Sequence, residues 1–254
     1  MDTPATNDVG YRVIVFAAPD DVEELGEVLE NVLGLHATDA LVLARTAPGP
    51  LGEKTTREAA ERLAAEIARI GLRAEAVPAG DIPEFTNMVI VHHARCLDTG
   101  LDVLGLNAEE KMLIAWNDIE LIGVGQVPQE TSRHYPAGQM VTVTAARRTV
   151  PGPKDMLQTP GPCAWLVCHN PDCQLRIDHK RMNYEYLGQR KTFSATANFR
   201  LFLDDVIAHA RAAYLTPSTR DYIEHGSVTD YSFDSPDELK RDAILHLLIH
   251  RRSS

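Results

Sequence analysis

Long apolar runs are missing from this chain; those present are short, as in Ala243-Ile244-Leu245, which His246 interrupts. A helix needs about 20 apolar residues to cross a bilayer, so no membrane span is expected. Cysteine is scarce, at four in 254 residues. That is too few for a disulfide scaffold and fits a reducing compartment. The opening Met1-Asp2-Thr3-Pro4 has neither a basic nor an apolar stretch, so no export signal is expected and the default is a soluble cytoplasmic protein. Positive charge is short in the first third: residues 1–85 hold 16 acidic and 7 basic side chains, against 20 and 18 in the remainder. Such an acidic unit repels phosphate backbones, which makes nucleic acid an unexpected partner.

Catalytic motifs are lacking too. No Gly-x-Ser-x-Gly occurs. Gly49-Pro50-Leu51-Gly52-Glu53-Lys54-Thr55 has the outline of a phosphate loop, but Glu53 breaks the Gly-Lys step and would repel phosphate. Gly123-Val124-Gly125 lacks the third glycine of a dinucleotide fingerprint and opens no obvious helix. No catalytic residue and no cofactor is expected from these patterns.

What is present is an ordinary globular composition, 44% apolar, in a length that suits one or two domains. The reading is an α+β protein with a first domain at 11–77, a linker at 78–87 and a second domain at 88–252. Tyr11-Arg12-Val13-Ile14-Val15-Phe16 reads as a strand. Asp20 or Asp21 caps a helix striped by Val22, Leu25, Leu29 and Val32, and Gly34 closes it. A short helix carries Ala40, Leu41 and Ala44 until Ala47-Pro48-Gly49-Pro50 ends it. Thr55-Thr56-Arg57-Glu58 fits a capping box for a third helix, Gly71 stops it, and Leu72–Val77 is the second strand. The expected order is strand, three helices, strand.

Gly34-Leu35, Ala47-Pro48, Thr56-Arg57-Glu58-Ala59-Ala60-Glu61 and Gly71 followed by Ala74-Glu75-Ala76-Val77 give this first unit its likeness. It resembles the fold shared by the C-terminal domain of the ribosomal stalk protein and the ClpS adaptor, over about a quarter of the chain. The resemblance implies a non-enzymatic domain that holds partner proteins or peptides. The adaptor's peptide pocket uses an Asn-Asp pair after the first strand and a later His. Here Ala17-Ala18-Pro19 precedes Asp20, and Arg45 stands about where the His falls.

Pro78-Ala79-Gly80-Asp81-Ile82-Pro83 combines breakers with polar residues and reads as the linker. Strands are expected at Met88–Cys96, Gly100–Leu104, Met112–Trp116, Ile119–Val127, Met140–Val150, Cys163–Cys168 and Cys173–Asp178. A helix at about Ser194–Ala213 follows, with Phe199, Phe202, Leu203, Val206 and Ala210 on one side. About seven strands and one amphipathic helix resemble a pleckstrin-homology-like barrel, and Trp116-Asn117-Asp118-Ile119 with Asn198-Phe199-Arg200-Leu201 resembles uncharacterised bacterial proteins. Ser235-Pro236-Asp237-Glu238 opens a last helix that is apolar nearly all round, so it must be covered on more than one side. It is expected to wedge between the domains or to form a homo-oligomer contact.

Three groups of residues are candidate sites. Cys168 and Cys173 flank the turn His169-Asn170-Pro171-Asp172 and should face each other with His169 in reach. Cys163 lies an odd number of residues away and should point to the other face, so a metal would need a bulge; small buried thiols are the plainer reading. Asp242, His246 and His250 share one face of the last helix, where a metal or a helix dipole would suit them. His92 and His93 should diverge from one strand. Arg147, Arg148, Arg176, Lys180, Arg181, Arg190 and Lys191 make a locally basic strip that would suit an anionic ligand, a membrane surface or an acidic protein patch. The leading expectation is a non-catalytic interaction or scaffold protein with a protein partner. A metal-dependent enzyme or metal-binding protein, and a binder of anions through the basic strip, are the alternatives.

Overall fold

A computed structural model describes residues 10–105, 111–128, 160–226 and 231–253. The expected strand Met140–Val150, with Arg147 and Arg148, lies outside them. The first unit runs β1 (Tyr11–Val15), α1 (Val22–Leu33), α2 (Ala37–Ala44), β2 (Gly49–Thr55), α3 (Arg57–Arg69) and β3 (Ala74–Pro78). Asp21 caps α1 by accepting from the Glu23 N–H at 2.8 Å, and Gly34 ends it at φ 67°.

Two expectations are corrected here. Gly49–Thr55 is a third strand, giving an antiparallel sheet ordered β2-β1-β3. As an edge strand β2 tolerates Pro50, and Gly52 at φ 63° lies where the register against β1 slips between Tyr11 and Val13. The cap of α3 also moves one residue on. Thr55 is taken by its ladder partner Tyr11, so Thr56 accepts from the Ala59 N–H at 3.3 Å and Glu58 is no longer in the reciprocal position. One face of the sheet, Val13, Val15 and Leu51, is buried against Leu25, Leu29, Ala60 and Leu63 of the helices.

The second unit contains β4 (Met88–Leu97), β5 (Gly100–Gly105), β6 (Lys111–Ile114), β7 (Ile119–Pro128), β8 (Pro160–His169), β9 (Asp172–Asp178), α4 (Ala195–His209), β10 (Tyr214–Leu215), α5 (Pro217–His225) and α6 (Pro236–Ser253). One mixed sheet is ordered β10-β7-β8-β9-β4-β5-β6, with parallel pairs at β4/β9 and β10/β7. Among the described residues this order is open, with β10 and β6 at its ends, where the sequence led us to expect a barrel. The long helix stops at His209 and not Ala213, and β10 and α5 were not anticipated. These small pieces are held by side-chain hydroxyls. Thr219 Oγ1 donates to the Ile122 carbonyl at 2.8 Å, and Thr216 caps α5. Phe199, Phe202, Leu203 and Val206 of α4 pack on one face of the sheet, over Ile122, Ala164, Leu166 and Leu175.

Helix α6 joins the units. Ser235 Oγ accepts from the Glu238 N–H at 3.2 Å, and Glu238 Oε2 returns to the Asp234 N–H at 2.6 Å. Leu245 and Leu248 then close on Ile14 and Val77, the second face of the small sheet. Ala243 and Leu247 close on Leu121, Trp165 and Val167, the second face of the large one. The wedge expected of this helix is therefore present. The segment expected as a polar linker is instead part of the packing. Ala79, Ile82 and Phe85 are buried, Ile82 beside Leu245 and Leu248 and Phe85 stacked on Trp165. Its prolines and glycine bend the chain, and its apolar residues anchor it.

Burial of His179 sets one pH response. Its ring is nearly wholly enclosed, shares a close contact with the Gly161 backbone and lies 3.1 Å from the Pro162 carbonyl through Nδ1. Burial, aided by Lys180, holds its pKa below the ordinary 6.5, against the opposing pull of Asp178. The unfolded chain then takes up the proton first as pH falls. Stability from this group is complete above pH 6.5 and declines as pH drops toward the lower folded value. Urea midpoints at pH 7.5 and 5.5 should differ less in His179→Gln than in the parent; equal differences would show that this ring contributes nothing.

Candidate functional site

Where the two units meet, the chain leaves a cleft of about 740 Å³. Its walls come from the end of β2 (Lys54), the segment 79–86, the β8–β9 hairpin and the last turns of α6. Its exposed lining is mainly polar, and Ile82, Phe85, Val167 and Leu247 lie buried behind it. The volume lies in the range of ordinary ligand pockets, and its position between domains is a common one for them.

The cations around this cleft are already matched. Arg251 makes a two-pronged pair with Glu120, both bonds at 2.7 Å, and holds the Glu120 carboxyl below its ordinary range. Lys54 lies 3.4 Å from Glu84, and His169 Nε2 lies 3.1 Å from Asp118. The acceptors are less satisfied. Asp81 and Asp172 are exposed and make no side-chain hydrogen bond or ion pair among the described residues. Alternation along β9 puts Asp172 and Gln174 on one face, while Cys173 and Leu175 turn into the core. Gln174 is 1% exposed and its Oε1 has no hydrogen-bond partner among the described residues. A buried carbonyl left unpaired costs about 1–3 kcal/mol, which makes this group conspicuous.

The cysteine expectation is met in geometry. Cys168 and Cys173 are direct partners across the hairpin, and their thiols hydrogen-bond. The contact with Cys173 and burial together push the Cys168 thiol far up, while the bond it donates favours the thiolate at Cys173. Both belong to the α4 side of the core, whereas Cys163 packs with Val127 and Leu239 on the other face. Burial pushes Cys163 up as well. All four cysteines are thiols, and burial raises Cys96 to about 12. His169, the nearest imidazole in sequence, is drawn to Asp118 instead.

Asp242, His246 and His250 do share a face of α6. Asp242 lies 3.5 Å from His246, and both imidazoles stack on Tyr214, with His250 at 4.8 Å between ring centroids. The face expected to offer metal ligands is thus an aromatic seam against β10. His92 and His93 do not diverge. The register shift between Val91 and His93 turns their rings edge to face at 4.5 Å. His92 Nδ1 is engaged by the Arg181 carbonyl at 2.7 Å. Among the described residues no three His, Cys, Asp or Glu side chains come together as a metal would need.

The described part of the basic strip, Arg176 to Lys191, is largely compensated. Arg176 binds the buried Asp178 at 3.1 Å, and Arg181 approaches the same carboxylate at 3.9 Å. Arg190 forks onto Asp205 at 2.9 and 2.7 Å, and Lys191 pairs with Glu185. Lys180 is exposed. Local cationic sequence failed to predict a cationic surface because Arg176 and Arg181 share Asp178 at the end of β9, Lys191 meets Glu185 six residues back, and Arg190 meets Asp205 of α4.

Asp81 read as a linker residue, Asp172 as a turn former and Gln174 as one polar residue in an alternating strand. The signal available was the polar face Asp172, Gln174, Arg176, Asp178; nothing in the sequence said that it would be buried at Gln174 and Asp178. Compared with protein-family models, curated proteins and solved structures, the chain matches none.

Proposed function

We propose that the protein is a non-catalytic, adaptor-type binding protein that receives a segment of a partner protein between its two units. The observation that carries this reading is the cleft itself, walled by both units and lined mainly by polar groups over buried apolar residues. The groups near it that would do chemistry are otherwise occupied: Cys168 turns into the core, His169 is held by Asp118 and Arg251 by Glu120. The adaptor resemblance of residues 11–77 supports the same reading. So does α6, whose Leu239, Ala243, Leu245, Leu247 and Leu248 are all buried within the chain, leaving it little apolar surface for a second copy. The metal and anion alternatives have weaker support, since their residues are scattered or paired.

Selection of a random peptide library against the full chain tests the reading. Enriched peptides should slow amide exchange in residues 79–86 and at the β8–β9 hairpin. Failure to select any peptide, together with turnover of a compound from a metabolite panel, would replace binding by catalysis.

A further inference from the structure

From the cleft's unmatched acceptors we infer that its occupant carries a basic side chain, a guanidinium or ammonium group on an aliphatic stem, within a peptide of the partner. This rests on the binding reading above and adds the chemistry of what is bound. Both the lysine and the arginine in the wall already have a carboxylate, Lys54 with Glu84 and Arg251 with Glu120, and His169 sits against Asp118. Asp81 and Asp172 make no side-chain hydrogen bond or ion pair among the described residues, and the more distant charge of Arg251, already forked onto Glu120, acts on Asp172. Gln174 lines the same cleft, and its buried Oε1, without a hydrogen-bond partner among the described residues, is an acceptor that a donor-rich cation would satisfy. The acidic first unit adds a long-range field of the same sign.

An incoming anion would meet the opposite situation. It would have to displace Glu120 from a two-pronged bond or Glu84 from Lys54, while Asp81 and Asp172 repelled it. The mainly polar lining suits the charged head, and the small exposed edge of Phe85 suits its aliphatic stem. The cleft's 740 Å³ is several times one side chain, which favours a peptide segment over a small free amine.

The probe is an acetylated, amidated hexapeptide with two arginines among leucines and glycines, titrated calorimetrically into the full chain. Replacing arginine by neutral, isosteric citrulline should weaken binding about tenfold, as loss of a charge-assisted hydrogen bond does. The double variant Asp81→Asn, Asp172→Asn changes exposed positions only and should lose affinity by a similar factor, with the salt dependence reduced. Gln174→Leu should weaken the arginine peptide and leave the citrulline peptide nearly unaffected.

Equal binding of the two peptides, or unchanged affinity in the double variant, would overturn the assignment of a cation while leaving the binding reading in place. Preference for a glutamate peptide would overturn it too. Spermidine binding without peptide binding would keep the cation and remove the peptide as its source. Should Gln174→Leu fail to fold, the exposed double variant decides alone.

Discussion

Leu248→Ala is expected to lower the unfolding free energy by about 2–5 kcal/mol, the cost of deleting a buried leucine whose site cannot collapse. Leu248 is 3% exposed and meets Ile14, Val77 and Ile82, so it ties α6 to the small sheet and to the segment between the units. Loosening that contact should first be felt where few other contacts hold the chain. Amide exchange at Ile82 and Phe85 should therefore accelerate more than exchange in β7 or β8. Leu248→Met keeps the volume and should cost less than about 1.5 kcal/mol. A denaturant titration gives the first quantity and exchange gives the second. Uniform acceleration across both sheets would mean that the units unfold as one and that α6 is not the joint between them.

Gly125→Ala is the second large effect, about 1–3 kcal/mol from overpacking. A Cβ on Gly125 would lie 2.3 Å from the Phe233 ring and 3.1 Å from Leu239, far inside contact distance. Phe233 cannot simply leave, because its N–H donates to the Gln126 carbonyl at 2.8 Å and the Gln126 N–H donates to the Tyr231 carbonyl at 3.0 Å. The segment 231–233 is laid along β7 by these bonds, and Gly125 leaves room for its ring. In the background Phe233→Ala the same glycine substitution should cost much less. A double-mutant cycle reads the coupling directly. Additive costs would show that the glycine serves some other purpose, such as the backbone of β7.

Glycine 125 also shows how sequence patterns mislead. Gly123-Val124-Gly125 drew notice as an incomplete nucleotide fingerprint, yet its second glycine makes room for a ring more than a hundred residues away. The same holds for Gly49–Thr55, whose glycines and prolines concealed an edge strand because β2 is justified by its partner and not by its own propensity. The candidate site was still less legible. A glutamine in an alternating strand looks solvent-facing, and only the burial of its neighbours makes its unpaired oxygen meaningful. Asp81 sat in what read as a polar linker, and the anchoring of that segment by Ile82 and Phe85 requires surfaces from α6 and β8.

The sequence by itself determined the elements whose causes are local. The N-cap at Asp21, the stop at Gly34, the stripes of α1, α3 and α4, the hairpin that faces Cys168 with Cys173 and the serine-capped entry to α6 depend on neighbours within a few residues. Hydrogen-bond geometry and side-chain periodicity act at that range, so they can be read from the chain. The tertiary structure decided the sheet order with its two parallel pairs, the pairing of Arg190 with Asp205 of α4 and of Arg251 with Glu120, and the closing of α6 on two sheets at once. It also decided which polar groups line the cleft. Charge neutralisation and burial depend on distances between residues far apart in sequence, and those distances exist only once the chain has folded.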